Sequence, residues 1–210
     1  MRYVGIDSAY RHSGVVVMDG SGVVLARQHL KNPEEVDHLG WIWWEAEATK
    51  WIGPGDVVAI EGLSFGSVNR SHNLAITFGL WVLQAVAVGS HVFVVPPTRV
   101  KRWATGSGVA KKPQMISWAR QYLALAGEPP GKKPPKLSEH EADALVLATL
   151  AREAHARLDR GPTDPQWSPL PSHRQDILWN ALGNGVLQTP GQSSLQGHHG
   201  KEARWQSHPR

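Results

Sequence analysis

Four residues have the types and surroundings expected of a divalent-metal site. Asp7 and Glu61 each end an apolar segment with the pattern of a buried strand, and Asp143 lies in an otherwise apolar helical segment. Burying a carboxylate without a partner is energetically costly, so three such positions indicate a shared cation. His140 precedes Asp143 by about one helical turn, which places both side chains on one face of that helix.

These ligand types favour Mg²⁺ or Mn²⁺. Carboxylates with one imidazole match those ions better than zinc, and the chain has no cysteine. Oxygen-rich sites of this kind often hold two ions and catalyse displacement at phosphorus, which predicts phosphodiester chemistry. Glu139 shares the helical face and is an alternative ligand to His140, whereas Glu141 matches a capping box with Ser138. Because imidazole is softer than carboxylate, Mn²⁺ should support the reaction better, relative to Mg²⁺, than at an all-carboxylate site.

The elements that must position these residues follow a mixed α/β pattern. The first three predicted strands form an antiparallel meander, and helices alternate with the later strands, so we expect a mixed five-stranded sheet flanked by helices. The predicted strands are 3–7, 14–18, 23–29, 56–61 and 91–95, and the predicted helices are 33–52, 69–88, 113–126 and 138–158.

The chain divides into a folded domain and a tail. We expect residues 1–158 to form the domain. Residues 159–210, rich in Pro, Gly, Gln, Ser and His, should form a flexible low-complexity tail in which 175–182 is the one helical candidate.

Positive charge is concentrated in one segment. Residues 96–136 contain nine of the 22 lysines and arginines and a single acid, Glu128, although the net charge of the chain is only +4. This asymmetry favours a polyanionic partner such as nucleic acid, and a solvated lysine-rich loop is the alternative. Arg102 in this segment and Arg70, before the apolar helix, are candidate DNA contacts.

The helix predicted at 69–88 is apolar on nearly every side from residue 74 onward. This pattern indicates burial on two faces, one against the sheet and one against a second subunit. We therefore expect a homodimer through this helix, with Trp81 as an interface anchor. A helix buried wholly within one subunit is the alternative.

No apolar run reaches the length of about 18 residues that a membrane span needs, and the first residues lack a signal-peptide pattern. We expect a soluble cytoplasmic protein with no membrane partner. The absence of cysteine and the short domain are typical of a bacterial or phage origin, so the compartment would be a bacterial or phage-infected host cell.

Five motifs follow one another within residues 1–155: Gly5-Ile6-Asp7 with Ser13-Gly14, Ala59-Ile60-Glu61, Arg99-Val100-Lys101, the 106–112 segment and the 140–145 segment. In order and approximate spacing they resemble the motifs of the RuvC-type Holliday junction resolvases, within the RNase H-like superfamily. The resemblance implies an RNase H-like fold and a homodimeric endonuclease that nicks two strands of a four-way DNA junction symmetrically. It also implies two metal ions per active site and products with 5′-phosphate and 3′-hydroxyl ends.

The resemblance also assigns individual roles. Lys112, with Lys111, would lie beside the scissile phosphate, and Lys101 would contact the DNA backbone. Phe65 is the nearest candidate for the aromatic wedge of the family. The implied metal ligands are Asp7, Glu61, His140 and Asp143.

Three other functions fit parts of the pattern. Another RNase H-like nuclease could use the same metal site on RNA or on branched or duplex DNA, because substrate choice lies in loops. An actin-like ATPase would share the opening motif but needs a second Gly-rich phosphate motif, which this sequence lacks. A non-catalytic DNA-binding module would use the acids only structurally.

Overall fold

The computed structural model describes residues 1–63, 71–126, 136–158, 170–184 and 186–187, and its central feature is one mixed sheet. The elements in chain order are β1 (Tyr3–Asp7), β2 (His12–Met18), β3 (Val24–Lys31), α1 (Asp37–Trp51), β4 (Val57–Glu61), α2 (Ser71–Ala87), β5 (His91–Val95), α3 (Pro97–Thr105), α4 (Lys112–Leu125), α5 (Glu139–Leu158), α6 (Ser172–Asn184) and β6 (Val186–Leu187).

The strand order within the described residues is β3-β2-β1-β4-β5-β6. The meander β1–β2–β3 is antiparallel, β1 pairs in parallel with β4, and β4 pairs in parallel with β5. The predicted mixed five-stranded sheet flanked by helices is confirmed. The two-residue β6 adds an antiparallel edge to β5, and so short a strand has too little sequence pattern to be predicted.

Helices cover both faces of the sheet because alternate strand residues point to opposite sides. On one face, Val16, Ala59 and Phe93 pack against α3, α4, α5 and α6. On the other face, Val4 and Ile6 pack against α1 and α2. No helix in the described ranges is long and apolar enough to cross a membrane.

Two glycines allow α5 to lie unusually close to the sheet. A Cβ atom on Gly5 would lie 1.9 Å from the carbonyl oxygen of Ala144, and one on Gly14 would lie 1.9 Å from that of His140. Any larger residue would push α5 outward. These glycines therefore set the height of α5 above the strands at the end of the sheet where Asp7 lies.

Within the predicted domain, one helix start and one whole helix differ clearly from the sequence prediction. Asn32 accepts a hydrogen bond from the Glu34 amide in a local turn, so α1 begins at Asp37. The α3 helix was missed because its basic composition resembles a loop. Its boundaries follow known signals, since Pro97 occupies the first turn and Gly106 ends the helix with a φ of 80°.

Part of the expected tail packs on the domain. In α6, Ile177 and Leu178 are buried, and the Arg174 guanidinium lies over the Trp103 ring while its Nε donates to the Trp103 carbonyl. The helical candidate at 175–182 thus belongs to a packed helix rather than to a flexible tail. Residues 159–169, 185 and 188–210 lie outside the described residues, so the expectation of flexibility stays a prediction there.

Replacing Leu178 with alanine should destabilise the protein by about 3 kcal/mol, because the side chain is fully buried and its loss leaves a cavity. Urea denaturation would measure the change in the free energy of unfolding. The matched control is Leu125→Ala on α4, whose side chain is 89% exposed and should contribute less than about 0.5 kcal/mol. Equal stabilities of the two variants would contradict the packing of α6.

Candidate active site

Three carboxylates converge at one end of the sheet. Asp7 and Glu61 end the adjacent parallel strands β1 and β4, so both lie at the same edge. The α5 helix crosses this edge and brings Asp143 to them. One carboxylate oxygen from each residue lies within 4.8 Å of the others.

Burial and mutual repulsion determine the electrostatics of this acidic triad (Asp7, Glu61 and Asp143). Burial, with the charges of Asp7 and Asp143, raises the pKa of Glu61 well above its ordinary value. Burial, followed by the charge of Asp7, raises the pKa of Asp143 to about 7. Among the described residues, the buried Asp143 Oδ1 has no hydrogen-bond partner. The donor set and this unpaired oxygen fit a divalent ion that prefers oxygen ligands.

His140 lies beside the triad and pairs with one of its members. Its Nδ1 lies 2.6 Å from Asp7 Oδ2, and this hydrogen bond raises the pKa of His140 although burial opposes the shift. The imidazole therefore contacts Asp7, but it is not among the described groups whose ligand atoms all lie within 4.8 Å of one another, so its role as a metal ligand stays a prediction.

Two further histidines, which sequence reasoning missed, surround His140. The His12 ring stacks on that of His140 with centroids 6.0 Å apart, and the His29 centroid lies 5.2 Å away. His12 and His29 come from β2 and β3. The strand register, in which His29 lies opposite Gly14, is the signal that could have placed His29 near α5.

The start of α5 is fixed by the capping box, which is confirmed. The Ser138 amide donates to Glu141 Oε2 at 2.9 Å, and the Glu141 amide donates to Ser138 Oγ at 3.1 Å. Arg27 on β3 completes the arrangement with an ion pair of 2.8 Å to Glu141 Oε1. Both side chains are largely buried, so the pair ties the first turn of α5 to the sheet.

Two basic residues interact with the acids of this site. The charge of Lys101 on α3 opposes the rise in pKa that burial causes at Glu61 and Asp143. Lys112, the first residue of α4, places its Nζ 2.5 Å from Glu139 Oε2.

The other predicted DNA contacts are placed less directly. Lys111 precedes α4 and is exposed, and Arg102 pairs at 3.6 Å with Asp176 of α6. Phe65 and Arg70 lie outside the described residues. No described contact joins Lys111 or Arg102 to the acidic triad.

Without metal, the stability of the protein should fall as pH rises from about 4 toward 7. The folded-state pKa of Asp143, about 7, exceeds its ordinary value of 3.8, so in this window the folded protein holds a proton that the unfolded chain has released. A divalent ion competes with that proton and should therefore raise the melting temperature more at about pH 8 than at about pH 5.5. Thermal denaturation in Mg²⁺ and in EDTA tests this, and Asp143→Asn should reduce both effects. Equal metal stabilisation at the two pH values would contradict the assignment.

Comparison with known proteins places the chain in a family. No family model matches it. Several curated proteins described as crossover junction endodeoxyribonuclease RuvC are similar to it. The relative from Rhodococcus jostii is 32% identical over 156 residues, which cover 70% of this chain and 79% of the relative. The relative from Anaeromyxobacter sp. Fw109-5 is 34% identical over 160 residues, 72% of this chain and 73% of the relative. The relative from Corynebacterium diphtheriae is 33% identical over 153 residues, 69% of this chain and 90% of the relative.

Solved structures agree with this assignment. Thermus thermophilus RuvC matches with a TM-score of 0.57 and 26% identity, covering 74% of this chain and 96% of that chain. T. thermophilus RuvC in complex with a Holliday junction substrate matches with the same TM-score at 24% identity. Because relatives above 30% identity align with this chain over more than two thirds of their length, the chain belongs to the RuvC family of crossover junction endodeoxyribonucleases.

Proposed function

We propose that this protein resolves four-way (Holliday) DNA junctions by paired, symmetric, metal-dependent nicks. The observation that carries the proposal is the acidic triad at the strand ends of a RuvC-family fold. A solved relative of the same fold is described as RuvC in complex with a Holliday junction substrate. The products would carry 5′-phosphate and 3′-hydroxyl ends.

The proposed cofactors are two Mg²⁺ or Mn²⁺ ions per active site, held by Asp7, Glu61 and Asp143 with the His140 imidazole beside them. When bound, such ions polarise the scissile phosphate and activate the attacking water. Asp143 Oδ1 is free of hydrogen bonds within the described residues, so it can accept a cation without losing a partner. Because the triad is largely buried, the negative charge of its carboxylates lies in a low-dielectric setting, where it attracts the ions strongly.

Four basic residues would hold the DNA. Lys112 would stabilise the negative charge on the scissile phosphate, and Lys101 would contact the backbone near the triad. Lys111 and Arg102 would add phosphate contacts farther out, so affinity should fall with salt. Phe65 is proposed as the aromatic wedge because of the family resemblance. Arg70 is proposed as a DNA contact because of its position in the sequence before the apolar helix.

Paired nicks need two active sites at a fixed separation, which an isologous dimer provides. One face of α2 packs on the domain and the opposite face is exposed and apolar, with Leu83 65% exposed. Its exposed residues at intervals of four are Ala75, Gly79, Leu83 and Ala87. We propose that this face forms the dimer contact. Trp81 was wrongly expected to anchor it, because Trp81 is fully buried against Trp44 within the chain.

Asp7→Asn should bind a four-way junction but nick it at least about 100-fold more slowly, since even outer-shell changes at metal sites cost about 10- to 100-fold. The assay compares a synthetic junction, the matched linear duplex and an RNA–DNA hybrid in Mg²⁺, Mn²⁺ or EDTA. Glu45→Gln, at an exposed position on α1, is the control substitution of an acid. Retained nicking by Asp7→Asn, or preference for the hybrid, would contradict the proposal.

Leu83→Asp should convert a dimer into a monomer at micromolar concentration, because the interface would have to bury an unpaired charge. Light scattering after size exclusion measures the mass. Leu125→Asp on α4 is the control, since that leucine is also exposed but lies elsewhere. In the nicking assay, Leu83→Asp should lose paired cuts on one junction. A monomeric wild type, or a dimeric Leu83→Asp, would refute this interface.

A further inference from the structure

An exposed ion pair stands next to the acidic triad. Lys112 Nζ lies 2.5 Å from Glu139 Oε2, and Glu139 Oε1 lies 3.8 Å from His140 Nε2. Glu139 therefore lies between the ammonium group and the imidazole. These residues come from the first turns of α4 and α5, two helices that pack on each other.

This pair is poorly placed for a stabilising role. The Lys112 side chain is 75% exposed and that of Glu139 is 36% exposed, and ion pairs at such exposure contribute little to stability. Lys112 is also in the first turn of a helix, where a positive charge opposes the helix dipole. Because stability does not explain the Lys112–Glu139 pair, we look for its role in function.

Glu139 also differs from the three members of the triad in that its carboxylate is not grouped with theirs around a common ion position. The described carboxylates that can share one ion are Asp7, Glu61 and Asp143, and Glu139 is not among them. From sequence, Glu139 was the alternative to His140 as a metal ligand. The structure instead directs its Oε2 to Lys112.

We propose that Glu139 is a positioning residue that holds the Lys112 ammonium beside the triad for the scissile phosphate. The inference rests on the proposed nuclease function. An ammonium group has three donor hydrogens, so Lys112 can donate to Glu139 and to a phosphate oxygen at once. Lysine has a long flexible stem, and the carboxylate restricts the positions that its ammonium samples. Positioning of this kind accelerates the chemical step without adding affinity for DNA.

The test is a double-mutant cycle measured by single-turnover nicking of a synthetic four-way junction. Glu139→Gln should slow nicking about 10- to 100-fold, the range that misplacement of a catalytic group produces. Its junction affinity, measured in EDTA, should be equal to or tighter than wild type because a negative charge near the DNA is lost. In the Lys112→Ala background, adding Glu139→Gln should have no further effect, because the two residues act as one unit.

Four further measurements make the cycle decisive. The Mg²⁺ concentration for half-maximal nicking should be the same in Glu139→Gln and wild type, and a raised requirement would make Glu139 a ligand and overturn the inference. Glu139→Asp, which keeps the charge, should restore part of the rate. Glu45→Gln should nick at the wild-type rate, and melting temperatures show that each variant is folded.

The outcomes separate this inference from the proposed function. A wild-type protein that does not nick the junction refutes the function. A wild-type protein that nicks, with Glu139→Gln equally fast or with additive effects in the cycle, refutes the positioning role alone.

Discussion

The close approach of α5 to the sheet is the constraint on which the site depends. Where Gly5 and Gly14 face the helix, a single added carbon would collide with the helix backbone. Asp143 reaches the other two carboxylates because the helix lies at this height. The hydrophobic effect drives this packing of α5, since its residues Leu145 and Ala148 are almost fully buried.

The favourable packing of α5 on the sheet offsets the electrostatic repulsion among the three carboxylates. Three carboxylates within 4.8 Å, largely out of water, disfavour one another's charge, and the pKa values of Glu61 and Asp143 rise as a result of burial and of this crowding. A divalent ion relieves the repulsion. The repulsion among the carboxylates therefore lowers the stability of the fold, while the fold holds these metal ligands in place before an ion binds.

The sequence allowed the acids to be found, and His140 beside them, but not the contacts that their neighbours make with one another. Asp7 and Glu61 were predictable because parallel strands end at one edge, and Asp143 because an acid in an apolar helix needs a partner. The Lys112–Glu139 pair depends on how α4 packs on α5, which no local pattern encodes. The α6 helix follows a segment of low-complexity composition, so its buried pair, Ile177 and Leu178, was too short a signal to predict packing.

Burial distinguishes the structural ion pair of α5 from the functional one. Arg27 and Glu141 are 13% and 9% exposed, and breaking such a pair costs about 3–5 kcal/mol because a charge stays buried alone. Lys112 and Glu139 are 75% and 36% exposed, so the ammonium can reach a phosphate oxygen while it stays paired with Glu139. The first pair therefore fixes the helix that carries the triad, while the second leaves its ammonium available to an incoming phosphate. The site needs a buried pair to keep its helix in place and an exposed pair whose ammonium can contact the DNA phosphate. The first turn of α5 carries one of each.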